Sequence, residues 1–406
     1  MKKFIVALLV LSLLLTGCGT VAASDNLMEG YIPQRVPDKV LMPEENPTNF
    51  AVTLFQNSVT EGKNTLISPL SILSALAMTA NGAEGETLSQ MENTLGATRA
   101  QLNSWLHSYM SQRKEDDVLY LANAIWFNTH ERFEANGDFL QTNADFFGAG
   151  IHGAPFDDAT CREINSWVKD NTDGMIDGIL DHIPEEAVMY LVNALAFDAR
   201  WASVYTDSQV KEGTFTTEDG REQTVELMYD TLHSYLETEN AAGFLRHYKG
   251  SRYAFVALLP NEGTTVAQLV ESMDGESLSA LLATPQNTPV DTAIPKFETE
   301  SMLELNAVLQ AMGMEDAFDP VNADFSGLGT SSAGNIHISR VIHKTYISVA
   351  EKGTRAGAAT VVENTDRAMA LTENKSVILN RPFVYMLIDC ESNLPFFMGT
   401  CMEIGA

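Results

Sequence analysis

At 406 residues, with 45% hydrophobic and 19% charged residues, the chain has the make-up of a globular protein with a large core, which excludes disordered and collagen-like classes. Its 54 Asp and Glu against 25 Lys and Arg leave a formal net charge of −29. Such a surface repels nucleic acid and anionic membranes, so partners of those kinds are not expected.

Residues 1–17 read as a signal peptide: Lys2 and Lys3 form a basic start, and Phe4 to Leu15 an apolar run short for a membrane span. Leu15-Thr16-Gly17-Cys18 resembles a bacterial lipobox. That implies cleavage before Cys18, lipid on its sulfur, and a protein held at the extracellular side of a bacterial membrane or secreted. Residues 18–47 contain Pro33, Pro37, Pro43 and Pro47, scattered charges and no sustained apolar period. They are expected to form a flexible spacer ahead of one folded domain, residues 48–406.

Within that domain, Leu70, Leu73, Leu76 and Ala77 recur at helical spacing behind Ser68-Pro69, and Asn81-Gly82 closes the helix. Val118 to Asn128 and Met189 to Trp201 are long apolar runs of the kind found in sheets covered on both faces. Between them, Cys161 to Leu180 places Ile164, Trp167 and Val168 on one helical face. Gly213 to Pro289 alternates short strands with turns, with Tyr253 to Pro260 the clearest buried strand. There is no internal repeat and no second domain.

Cys161, Cys390 and Cys401, at wide spacing and without CxxC, read as small buried residues rather than a disulfide framework or zinc site. No G-x-S-x-G, HExxH, P-loop or helix-opening GxGxxG occurs, so neither enzyme chemistry nor a metal or cofactor is expected. The acidic runs at 115–117, 157–158 and 185–186 read as solvated turns. His343 lies on an apolar strand where a charged imidazole would be costly, so it is expected to be a hydrogen-bonded core residue.

The most informative stretch runs from Glu351 to Phe383. From Gly353 to Val362 it holds only Gly, Thr, Ala and Val apart from Arg355, and no Pro interrupts it. As a strand it would place Thr354, Ala356, Ala358, Thr360 and Val362 on one small face, and Arg355, Gly357, Ala359, Val361 and Glu363 on the other. Composition alone equally allows a flexible linker.

EKGTRAGAAT from Glu351 resembles the reactive-centre loop hinge of inhibitory serpins, and NRPFVYMLID with LPFFMGT resembles that family's closing strands. SPLSI with NGAEGET near Ser68, and the stretch from Ile294 to Leu328, are similar to further family signatures in family order. The resemblance implies an α+β serpin fold of three β-sheets and about nine helices, with an exposed loop at about 351–379. It implies a monomeric suicide inhibitor, cut by its target serine or cysteine protease, whose loop enters the main sheet and carries the covalent acyl-enzyme with it.

The hinge would comprise Glu351, Gly353, Thr354, Ala356, Gly357, Ala358, Ala359 and Thr360. By position, Ser68, Ser71, Asn193 and His343 match the family's shutter cluster, and Trp201 an aromatic residue beneath the point of loop entry. Counting forward from Glu351 by the family's spacing places the reactive bond at Arg367-Ala368, a bait for trypsin-like or Arg-specific cysteine proteases. Counting back from NRPF points instead to Met369, Ala370 and Leu371, which would suit an elastase-type or chymotrypsin-type enzyme. Cutting after Ala370 would add about 10 Å of slack to the tether, which favours Arg367. The remaining alternative is a non-inhibitory serpin acting as a binding protein. The stretch near Arg99 to Lys114 offers only Arg99, Arg113 and Lys114 as cations, which argues against a heparin-like activator.

Overall fold

The computed structural model describes residues 24–37, 39–113, 118–129, 133–184, 187–332, 334–355 and 374–405. Cys18, Ala356 to Thr360 and Arg367 to Leu371 lie outside them.

Nine α-helices occur among the described residues: α1 Pro47–Ser58, α2 Pro69–Ala80, α3 Gly85–Leu95, α4 Arg99–Ser111, α5 Gly137–Phe146, α6 Asp158–Asn171, α7 Val266–Glu271, α8 Gly275–Ala283 and α9 Asn306–Ala311. The α2 helix starts where the sequence signals it, with Ser68 accepting the Ser71 backbone N–H and Pro69 in the first turn. All of its residues are buried, as befits a helix that is apolar on every side. Helices α7 and α8 lie in the region read from sequence as strands and turns alone. Their starts carry ordinary caps, Thr265 with Gln268 and then Asp274.

Eight strands form the large sheet. Across it run Asp25–Asn26, Gly150–Ala154, Leu119–Asn128, Met189–Phe197 and Arg340–Ala350, with Phe297–Glu304 flanking the last of these. Gly353–Thr354 and Ala199–Arg200 complete one end. A six-stranded and a four-stranded sheet, plus a two-stranded ribbon, make up the rest. Every residue of Met189–Phe197 is buried. Leu191 and Leu195 face the main core, while Tyr190 and Val192 meet Ile164 and Val168 of α6 on the other side. Cover on both faces explains the unbroken apolar run.

The expectation of a flexible spacer is corrected for residues 24–46. Asp25–Asn26 pairs antiparallel with Gly150–Ala154, and the Ser24 hydroxyl donates to Glu163 of α6. Leu27, Met28 and Tyr31 pack on the main core. The Gln34 N–H donates to Asp145 at 2.7 Å, and the Leu41 N–H to the Ser104 hydroxyl at 2.9 Å. An extended strap fastened at intervals leaves no apolar period in the sequence, so a period search cannot tell it from a free linker.

None of Cys161, Cys390 and Cys401 is disulfide-bonded. Cys161 and Cys401 are buried, but Cys390 is only partly so, which corrects the reading of all three as buried.

Candidate functional site

The hinge begins inside the large sheet. Val349 pairs with Thr354 and Ala350 with Gly353, so the chain folds back on the strand it has just left. On its other side the same dipeptide pairs with Ala199–Arg200. Thr354, expected to face a core on insertion, is fully buried here. A Cβ at Gly353 would come within 2.0 Å of the Ala199 carbonyl, so this approach of backbones requires glycine. Arg355 has a left-handed backbone, φ 43°, and its N–H donates to the Ser348 carbonyl at 2.8 Å.

Trp201 forms the seat beneath this turn. Its indole N–H donates to the Ala350 carbonyl at 2.8 Å, and its backbone N–H to the Lys352 carbonyl at 2.9 Å. Its ring stacks on Tyr248 at 4.5 Å. The Tyr248 and Thr354 hydroxyls are 2.5 Å apart. Burial, outweighing that bond, pushes the Tyr248 phenol well above its ordinary value, so it stays protonated. Arg246 lies 4.0 Å from the Tyr205 ring centroid and 5.2 Å from that of Trp201, held by Asp230 at 2.6 Å. Glu351, at the root of the hinge, meets Lys296 at 2.7 Å. Partial burial opposes ionisation of Glu351, yet the Lys296 ammonium holds its pKa below the usual range. Sequence reasoning found Trp201 but not Tyr248, Tyr205 or Arg246, which reach the hinge only through tertiary folding.

Ladder pairing between Met189–Phe197 and Arg340–Ala350 runs from Tyr190 with Arg340 to Leu195 with Thr345. Beyond it the two strands diverge, and the wedge between them is where the hinge sits. On its other flank Arg340–Ala350 pairs with Phe297–Glu304, reinforced on the outer face by Arg340 with Glu304 and Lys344 with Glu300, each at 2.6 Å. The Ser348 hydroxyl donates to Glu298 at 3.0 Å. Such surface pairs contribute only about 0–1 kcal/mol each. Together they bias any parting of strands toward the wedge rather than the flank.

His343 lies under the wedge's closed end, fully buried. Its Nε2 accepts the Ser68 N–H at 2.9 Å, and its Nδ1 is 2.7 Å from the Asn193 Oδ1. One neutral tautomer satisfies both contacts, with Nδ1–H donating to Asn193. Asn193 in turn donates to the Ser71 carbonyl at 2.6 Å and to the Asn123 side chain. The four residues expected to cluster do so, but Ser71 contributes its carbonyl, and its hydroxyl has no partner among the described residues. Asn123 is the member the sequence did not reveal.

Burial lowers the His343 pKa to about 3. The unfolded chain takes up this proton near pH 6.5, whereas the folded protein resists it down to about 3, so the stabilisation is full above 6.5 and lost as pH falls. Stability should therefore decline by about 1.4 kcal/mol per pH unit through that window on account of this group alone. Urea midpoints at pH 7, 5.5 and 4.5 should fall more steeply in the wild type than in His343→Gln. Parallel curves would rule the imidazole out as the cause.

The geometry defines an α+β protein of three principal sheets whose loop is rooted in the largest sheet, with its first residues already between two strands. The family described as Serpin (serine protease inhibitor) matches residues 45–404, and the chain belongs to the serpin family. Serpins are generally protease inhibitors and not themselves enzymes. An uncharacterized serpin-like protein of Thermococcus kodakarensis is 31% identical over 375 residues, covering 89% of this chain and 86% of its own length. The leukocyte elastase inhibitor of Equus caballus is 28% identical, covering 87% and 97%. The thermophilic serpin tengpin in its native state superposes with a TM-score of 0.90 at 44% identity, covering 94% of this chain and all of that one. Its latent state gives 0.78. The arrangement described here is thus nearer to that protein's native form.

Proposed function

We propose that this protein is an irreversible suicide-substrate inhibitor of extracellular trypsin-like serine proteases, or of Arg-specific cysteine proteases, cut after Arg367. The observation that carries the reading is the hinge dipeptide Gly353–Thr354, seated in the sheet at the mouth of a wedge bounded by strands that part beyond Leu195 and Thr345. The protease hydroxyl or thiol attacks the Arg367 carbonyl, the amide bond to Ala368 breaks, and the proton leaves with the new Ala368 amine. The Arg367 acyl group is then an ester or thioester of the protease. Continued entry of residues 355 onward into the wedge would carry it away before water can hydrolyse it. Ser68, Ser71, Asn193 and His343 would control the parting of strands, and Trp201 the seat of the first residues.

In this reading the chain acts as a monomer, held by lipid on Cys18 at the outer side of a bacterial membrane or secreted. The six steps from Cys18 to the docked Ser24 span at most about 20 Å, so a lipid-held body would lie close to the bilayer.

Incubation with trypsin and, separately, with an elastase, followed by denaturing gels and intact mass, tests the proposal. A trypsin complex that survives denaturation, with a released peptide starting at Ala368, is expected. A peptide starting at Ala370 or Leu371 would move the reactive bond into the Met369 cluster and the target to the elastase class. Clipping by both enzymes with no surviving complex would favour the binding-protein alternative.

A further inference from the structure

The strap that packs Leu27, Met28 and Tyr31 on the core leaves other apolar side chains bare. Four of the seven large hydrophobic residues exposed among the described residues, Ile32, Val40, Leu41 and Met42, belong to it. Ile32 is 76% and Met42 61% exposed. They project from a backbone that is held in place: the Ile32 carbonyl accepts from Gln141 Nε2 of α5 at 3.0 Å, and the Leu41 N–H donates to Ser104 of α4 at 2.9 Å. Val36, Pro37 and Leu41 line a cavity together with α4 and α5, so this stretch lies across both helices on one face of the body. Apolar side chains gathered on a fixed, uncovered stretch mark an interaction surface, unlike the same residues scattered singly.

Charge and position select what covers it. Residues 30–43 carry Arg35 and Lys39 against Asp38, a net charge of 2 − 1 = +1 in a chain whose net charge is −29. The repulsion from anionic membranes argued from net charge applies to the acidic body, not to this stretch. With the lipid on Cys18 proposed above, the six steps to the docked Ser24 hold the body within about 20 Å of a bilayer.

We propose that this face of the strap lies on the phospholipid bilayer that carries the anchor, with Ile32, Val40 and Met42 in the boundary between headgroups and acyl chains and Lys39 beside the phosphates. Apolar side chains with a neighbouring cation suit that boundary. The inference rests on the lipid-anchor reading and is independent of protease inhibition. Its consequence is orientation. Asp25–Asn26, at the start of the strap, is one edge of the large sheet, and four strands separate it from Gly353–Thr354. At about 4.8 Å per strand that is about 24 Å, which keeps the root of the loop clear of the lipid.

Intact mass of the membrane-purified protein shows whether Cys18 carries diacylglycerol, so failure of the anchor is read apart from failure of docking. Protein without that lipid is anchored instead by coupling the Cys18 thiol to a maleimide phospholipid in a Cys390→Ser background, and the same measurement is made. The measurement is tryptophan emission on phosphatidylcholine–phosphatidylglycerol vesicles with brominated acyl chains. Met42→Trp is expected to lose at least half of its added emission. Met302→Trp, at a position 53% exposed on the strand beyond the opposite side of the hinge, should lose none. Ile32→Glu with Val40→Glu should restore the emission of Met42→Trp while the protein stays anchored. Equal quenching at the two positions, no quenching of anchored Met42→Trp, or a dimer in lipid-free solution that Ile32→Glu with Val40→Glu disperses would each overturn the proposal, the last by assigning the face to a second copy of the chain.

Discussion

Thr354→Arg is expected to turn the protein from a trap into a substrate, cleaved at the same bond but releasing active protease. Thr354 is fully buried with its hydroxyl 2.5 Å from that of Tyr248, so there is neither room nor a counter-charge for a guanidinium. An unpaired buried charge costs several kcal/mol, and the hinge would leave the sheet rather than bear it. Entry of the loop would then start from an unseated chain, while hydrolysis of the acyl-enzyme proceeds as before. Since each 1.4 kcal/mol is tenfold in a rate ratio, about 3 kcal/mol on the entry barrier would raise the ratio of acyl-enzyme hydrolysis to trapping more than a hundredfold. Thr354→Val keeps the shape and loses only the hydroxyl pair, about 1 kcal/mol, and should still inhibit. Titration against trypsin with both variants, after thermal melts establish that each is folded, measures the effect. Equal complex yield from Thr354→Arg and wild type would sink the role assigned to this position.

Asp389→Ala is expected to lower the stability of the whole domain by about 3–5 kcal/mol. Asp389 is fully buried at the end of its strand and accepts from Arg113 Nε at 2.9 Å and from the Tyr109 hydroxyl at 3.3 Å. Its other oxygen accepts the Glu391 N–H at 2.9 Å. Arg113 is itself buried, with its guanidinium 3.2 Å from the Tyr109 ring centroid. Removing the carboxylate strands that cation without a full counter-charge, since Arg252 beside it is also positive. Arg113→Met combined with Asp389→Ala should recover a large part of the loss, because the cost lies in the orphaned charge. Urea unfolding of the two single variants and the double variant measures this. A loss below 1 kcal/mol in Asp389→Ala would show the pair to be unimportant. The same pair means that Arg113, one of three cations noted near α4, is committed to holding the body together and is not offered to a polyanion.

Much of the scaffold was legible because local signals and tertiary demands agree. Ser68-Pro69 sets the start of α2, and the unbroken apolar run at Met189–Phe197 reports a strand covered on both faces. The hinge was recognisable through the resemblance of EKGTRAGAAT to the family's hinge, since its composition alone equally allowed a linker. What escaped was long-range. Tyr248 meets Thr354 across more than a hundred residues, and Asn123 reaches Asn193 from the adjacent strand. No spacing rule links such partners. The strap failed for another reason: Leu27, Met28 and Tyr31 pack on the core from an extended chain, which produces no period to detect. Nor did the small, charge-poor hinge reveal that its first two residues are already in the sheet, since seated and free conformations need the same composition.

That seating bears on how the uncut molecule lasts. Starting a new strand between two others is the slow, nucleating step of such a process, and here Gly353 and Thr354 have completed it, with ladder partners on both sides. What remains is elongation, and its first move takes Arg355 from a left-handed to an extended backbone, releasing about 1–2 kcal/mol of local strain. Restraint must therefore come from the loop's other end. There Lys375–Ile378 lies parallel to Val290–Pro295 in the four-stranded sheet, and an uncut chain cannot advance far without peeling that strand away. Under the proposed mechanism, the lifetime of the intact protein would be set by the peeling rate of this four-residue edge strand, a clock that runs with no protease present.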